Sequence, residues 1–165
     1  MIKTQAAFSM PVKPVRNSAK ALIVHESKLL VTRNRDLFGE FYLLPGGGQN
    51  HGETLEKALM RECLEELGAQ IKVLDLVLIR EYLSANHEFA EIDRNIHQIE
   101  FMFACELLEQ VNTRATTEPD AMQTGVEWLP IAKLEDYRLY PKTLIELIKN
   151  HSDLSFPRIY LGDTN

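Results

Sequence analysis

Three glutamates raise the first chemical question: Glu62, Glu65 and Glu66 fall within one short stretch, RECLEELGA, at residues 61–69. Helical residues three and four apart share a face, so Glu62 meets both later glutamates. In a bare helix each such like-charge pair costs roughly 0.2–0.5 kcal/mol. A divalent cation reverses that sign, because its charge dominates the local field. Carboxylates suit Mg2+, which keeps water ligands and meets phosphates through few protein groups. Mn2+ shares the preference for oxygen. Just upstream, Gly46, Gly47 and Gly48 follow Pro45. A glycine loop before a helix offers backbone N–H groups to an anion. Taken alone it reads equally as a tight turn. Set before three spaced glutamates, it favours the anion-binding reading over the turn.

These groups need a scaffold. Glu53–Leu67 reads as a helix with Leu55, Leu59, Cys63 and Leu67 as its buried stripe and Ala58 on the flank. Thr54 suits the N-cap, Glu53 and Glu56 suit the positive helix start, and Gly68 suits the stop. That leaves the acid-bearing face open. Phe41–Leu44 reads as a buried strand, since Pro45 biases Leu44 toward extended backbone. The runs AKALIVH and KLLVTR, joined at Glu26-Ser27, read as a hairpin. Ile71–Leu83 is strand-like with a break in alternation near Asp75. Gln98–Leu108 and Gly125–Leu129 are further strands, and Pro141–Lys149 is a second helix with Pro in its first turn. Residues 84–96 and 109–124 are polar loops long enough to suggest function. Arg33 and Arg35 read as a solvated turn or as phosphate contacts. Tyr42, Tyr82, Phe89 and Tyr140 are candidate stacking residues. Strands, helix, strands, helix give an α/β or α+β domain with a mixed sheet.

Gly47, five residues, Glu53, seven residues, then Arg61-Glu62-Cys63-x-Glu65-Glu66-x-Gly68 resembles the signature of the Nudix hydrolases with its spacing intact. Ala69 stands where that family usually carries a larger aliphatic residue. The resemblance implies an α/β; Nudix-type α/β/α sandwich with a central mixed β-sheet. It covers roughly residues 18–150 within one domain spanning 1–165. It also implies that Glu65 and Glu66 are the main metal ligands. Glu62 is a further ligand or the base toward the metal-activated water, and the Gly46 carbonyl is a backbone ligand. Arg61 and Glu53 hold loop and helix together, which matters because such contacts orient the ligands. A further carboxylate often assists from outside the signature. Glu100, Glu118 and Asp120 are the candidates, with Glu118 favoured because a loop can close over substrate.

The expected activity is hydrolysis of a phosphoanhydride bond in a nucleoside diphosphate linked to another moiety, with Mg2+ or Mn2+ as cofactor. The alternative is a non-catalytic nucleotide-binding or sensing module on the same fold. Eighteen basic and 24 acidic residues give a formal charge of -6, so no general attraction for nucleic acid or membranes is expected. An anionic substrate would need local cations. Two cysteines make neither a metal site nor a disulfide framework. No signal pattern or long apolar run stands out, so a cytoplasmic location is the expectation. A homodimer is expected from the family's habit and from an apolar tail at Phe156, Ile159, Tyr160 and Leu161.

Overall fold

The computed structural model describes residues 14–88, 90–91, 95–112 and 121–165. Its strands are β1 (Arg16–Leu22), β2 (Val24–His25), β3 (Lys28–Asp36), β4 (Gly39–Leu43), β5 (Ile71–Leu83), β6 (His97–Leu107), β7 (Gln123–Pro130), β8 (Leu139–Tyr140) and β9 (Tyr160–Asp163). Its helices are α1 (Leu55–Leu67) and α2 (Thr143–Asn150). One sheet runs β1-β6-β5-β9; the other runs β2-β3-β4-β8, with β7 also on β3. Parallel β1–β6 and antiparallel β5–β6 pairs make the first sheet mixed. The helices cover the sheets as the expected α/β/α sandwich requires.

Two cores hold the layers together. Leu59, Cys63 and Leu67 of α1 pack against Ala19 and Ala21 of β1 and Phe103 and Cys105 of β6. Leu144 and Ile148 of α2 join Leu22, Leu78, Met102 and Leu129 in the other core. Leu59 and Leu67 are fully buried. Each contributes about 1.5–3 kcal/mol, which outweighs the few tenths lost per clash among the glutamates. Both cysteines are buried, and burial raises both thiols, Cys105 to about 12. They are apolar fillers here, as expected.

The local signals hold well. The Thr54 hydroxyl accepts from the Lys57 N–H at 3.3 Å, and Gly68 takes the left-handed conformation at φ 60°. Helix α1 therefore begins at Leu55, two residues after the expected start. The break near Asp75 is real, since the β5–β6 register shifts between Val73 and Leu78. Ala69 is fully buried in the α1 core, so its small side chain leaves no exposed gap.

Three expectations change. The hairpin at Glu26-Ser27 forms, but only Val24 and His25 pair with β3 in register. Before Ile23 the same run belongs to the other sheet, parallel to β6. The tail supplies strand β9, parallel to β5. Leu154, Phe156 and Leu161 pack against the larger core of the same chain, which is the physical reason for their apolar character. Helix α2 starts at Thr143 rather than at Pro141.

Candidate active site

The glycine run lies along β1 almost as another strand. Ala19 N donates to Gly47 O at 2.9 Å, Ala21 N to Pro45 O at 2.8 Å and Gln49 N to Asn17 O at 3.1 Å. This closeness explains two of the glycines. Gly46 has φ +117°, and a Cβ there would lie 2.2 Å from the Ala19 carbonyl. A Cβ on Gly47 would lie 2.5 Å from the Glu62 carboxyl. The loop thus brings bare backbone against β1 and against the first acid of α1.

Arg61 ties the loop to the helix. Its Nε and Nη2 donate to the two oxygens of Glu53 at 2.8 and 3.0 Å, a bidentate fork. Nη2 also donates to the Gly48 carbonyl at 3.0 Å. Nη1 donates to Glu62 at 2.8 Å and to Glu65 at 3.2 Å. Glu53 in turn accepts from the Asn50 N–H at 3.0 Å. The Arg61 guanidinium, followed by the Asn50 N–H, lowers the Glu53 carboxyl to about 2, and Glu53, then Glu62, raise Arg61 against the effect of burial. One planar side chain therefore offsets much of the repulsion between Glu62 and Glu65.

Glu66 departs from the expected open face. It is only 4% exposed and accepts from the Gly46 N–H at 2.8 Å. The signal was present in the spacing: Glu66 lies seven residues after Leu59 and three after Cys63, which puts it on the buried stripe. Glu62 and Glu65 are partly exposed. Among the described residues, no group of three or more His, Cys, Asp or Glu side chains is gathered closely enough to hold a metal ion. The donor chemistry still fits a hard divalent ion, since the groups brought together are carboxylates and a carbonyl. The Gly46 carbonyl already takes a cation, the Lys20 ammonium.

A polar cavity of about 210 Å³ opens beside Glu62, lined by the three glycines and by Arg16, Lys20, Arg80 and Glu100 among others. Glu100 is 6% exposed. It accepts from Arg80 Nε at 2.6 Å and from Gln98 Nε2 at 2.9 Å. Burial works against its charge, but Arg80 and then Lys20 prevail, and its pKa is lowered. Glu100 is therefore an ion-paired carboxylate on the cavity wall rather than a sheet-surface residue. Glu118, Asp120 and Phe89 lie outside the described residues. A second cavity, about 300 Å³ and largely apolar, adjoins the first through Leu43, Arg80, Gln98 and Tyr140, with Phe41 and Tyr82 among its walls.

Arg33 and Arg35 do not reach this cavity; they face Glu40 and Glu127 across the other sheet. Tyr42 is turned into the core, edge-on to Tyr137. His87 is satisfied by Asp163 at 2.6 Å and stacks on Tyr82, while His97 lies 3.5 Å from Glu81. The residues that sequence reasoning passed over are Arg16, Ser18, Lys20 and Arg80. Polar Arg16, Ser18 and Lys20 alternate with Ala19 and Ala21, a period-two pattern that marks two faces of a strand.

The NUDIX domain model matches residues 14–149. A curated RNA pyrophosphohydrolase of Gluconobacter oxydans (strain 621H) is 39% identical over 63 residues, which is 38% of this chain and 36% of that protein. The chain thus spans about a third of the length of that curated relative. Among solved structures, a NUDIX hydrolase from Nitrosomonas europaea aligns with TM-score 0.69 at 18% identity, over 87% of this chain and 93% of the other. An ADP-ribose pyrophosphatase from Streptococcus suis 89-1591 aligns with TM-score 0.61 at 17% identity, over 91% and 100%. Those two likenesses speak to fold alone. The family match spans most of the chain and contains both the glycine loop and the acid-bearing helix, and the chain belongs to the Nudix hydrolase family.

Proposed function

We propose that the protein uses Mg2+ or Mn2+ to hydrolyse a nucleoside diphosphate linked to another moiety. The observation that carries this reading is the pair of joined cavities. The polar one, beside the glycine loop and Glu62, has the size and charge for a diphosphate. The apolar one, walled by Phe41, Tyr82 and Tyr140, suits a nucleobase. In this reading Glu65, Glu66 and the Gly46 carbonyl hold the metal, with Glu62 as a further ligand or as the base. A divalent cation supplies charge neutralisation on the diphosphate oxygens when bound. As the base, Glu62 takes a proton from the attacking water; the new P–O bond forms from that water as the bridging P–O bond breaks. Arg61 and Glu53 position loop and helix around these groups.

The test is a substrate panel with product identification in Mg2+ or Mn2+. It includes nucleoside triphosphates, nucleotide sugars, ADP-ribose and dinucleoside polyphosphates. An RNA carrying a 5′-triphosphate belongs in it too, because the Gluconobacter relative is named an RNA pyrophosphohydrolase and release of pyrophosphate needs that end. The formal charge of -6 disfavours that arm. Cleavage of a nucleoside diphosphate compound is expected. Replacing Glu65 and Glu66 together by Gln should lower kcat/KM at least about 10²–10³-fold, the scale of losing preorganised charge at a reacting centre. Binding without turnover across the panel would instead favour the sensing module.

A further inference from the structure

Strand β1 meets the glycine loop residue by residue. Arg16, Ser18 and Lys20 project from one face, since side chains on a strand alternate; Ala19 and Ala21 face the α1 core. Lys20 Nζ donates to the Gly46 carbonyl. Ser18 Oγ donates to the Gly47 carbonyl at 3.0 Å. The Arg16 guanidinium lies over Gly48, so close that a Cβ there would be 2.6 Å from Nη2. All three side chains line the polar cavity.

The other charges of that cavity are committed. Arg80 is held by Glu100 at 2.6 Å and Glu62 by Arg61 at 2.8 Å. Among the described residues neither Arg16 nor Lys20 forms an ion pair, although the Lys20 charge also helps hold Glu100 ionised from a distance. Lys20 instead rests on a neutral carbonyl, a poorer acceptor for an ammonium than an anionic oxygen. Its long stem and three donors let it change partner readily. Arg16 offers the planar fork that matches phosphate. In a protein of formal charge -6, two such cations beside a glycine loop are the local help an anionic substrate needs.

We propose that Arg16 and Lys20 are a cationic clamp for the substrate's diphosphate, and that Lys20 exchanges the Gly46 carbonyl for a phosphate oxygen when substrate enters. The assignment rests on the diphosphate reading of the cavity. It has a second consequence. The ammonium and a divalent cation would compete for the same carbonyl oxygen, so Lys20 would oppose metal binding in the absence of nucleotide while favouring the nucleotide itself. A lysine that merely propped the loop would favour both.

Two titrations separate these roles. The first measures ADP binding calorimetrically in excess EDTA; the second measures Mn2+ binding without nucleotide by electron paramagnetic resonance. Lys20→Met should weaken ADP about tenfold or more, the scale of losing a charged hydrogen bond, while Mn2+ affinity holds or rises. Arg16→Gln should weaken ADP by about threefold, because the side chain is exposed and screened. Lys20→Arg keeps the charge and should retain most of the ADP affinity, which also serves as the folded control. The clamp is overturned if wild type binds no ADP in EDTA or if Lys20→Met leaves ADP affinity unchanged. It is equally overturned if Mn2+ and ADP affinities fall together. Wild type that binds ADP through Lys20 but cleaves nothing in the panel would sink the hydrolase reading and leave the clamp standing.

Discussion

The two adjoining cavities share strand residues, but only the polar one also takes a wall from a single short stretch of chain. Around the polar one, the loop and helix groups come from a single stretch, Gly46 to Glu66, closed on itself by Arg61. The walls of the apolar one come from β3, β4, β5, β6 and β8, with Ile96, Met122 and Asn165, spread from Asp36 to the tail. Chemistry here is assembled by short-range spacing, and the space for the rest of the substrate by tertiary folding. Damage to the first should therefore abolish turnover of every substrate alike. Damage to the second should change which substrate is preferred.

Arg61→Lys is the sharpest way to break that contrast. Lysine keeps one charge but cannot reproduce the fork that spans Glu53, Gly48, Glu62 and Glu65. A loss of about 10–100-fold in kcat, uniform across the panel, is expected for a residue that orients other groups. A substrate-dependent loss would show that loop and slot are not separable. An effect of similar size, but on KM rather than kcat, is expected from Tyr140→Leu, which removes a ring from the shared wall. Stacking of a base on an aromatic is worth about 1–3 kcal/mol. KM for the nucleotide substrate should rise accordingly in steady-state assays, with kcat nearly unchanged. A fall in kcat without a KM change would place Tyr140 with the chemistry instead.

The smallest effect concerns stability. Arg61, then the Asn50 N–H, lowers Glu53 from its ordinary 4.5 to about 2. A carboxyl depressed on folding contributes stability that is fully present above the unfolded value and is lost as pH falls through the folded one. Melting temperature should therefore fall between about pH 4.5 and pH 2, and Glu53→Gln should flatten part of that limb. An unchanged limb in the variant would mean that the Glu53–Arg61 fork does not survive in solution.

Local features were legible because their causes are local. Thr54, Gly68 and the Leu59-Cys63-Leu67 stripe announce helix α1 without reference to anything distant. So do the glycines and the three acids. The switch of the first strand between sheets at Ile23 was not legible, since it depends on pairing of Arg16–Leu22 with Gln98–Ala104, about eighty residues on. The same holds for Arg80, which reads as an ordinary strand residue until Glu100 is brought beside it. Strand β9 was hidden because four residues, Tyr160–Asp163, are too few to show a period. Only the parallel pairing with β5 makes them a strand.

That short strand reaches further than its length suggests. Arg80, paired with Glu100 on the cavity wall, also donates through Nη1 to the Thr164 carbonyl at 2.7 Å. Asp163 holds His87, which stacks on Tyr82, and Asn165 lines the apolar slot. Residues 160–165 thus reach the apolar cavity, through Asn165 itself and through the partners of Arg80 and His87, yet lie far along the chain from the acids of α1. For natural selection, or for an engineer, they are a cassette: altering them offers a way to retune what is cut while the machinery that cuts is inherited intact.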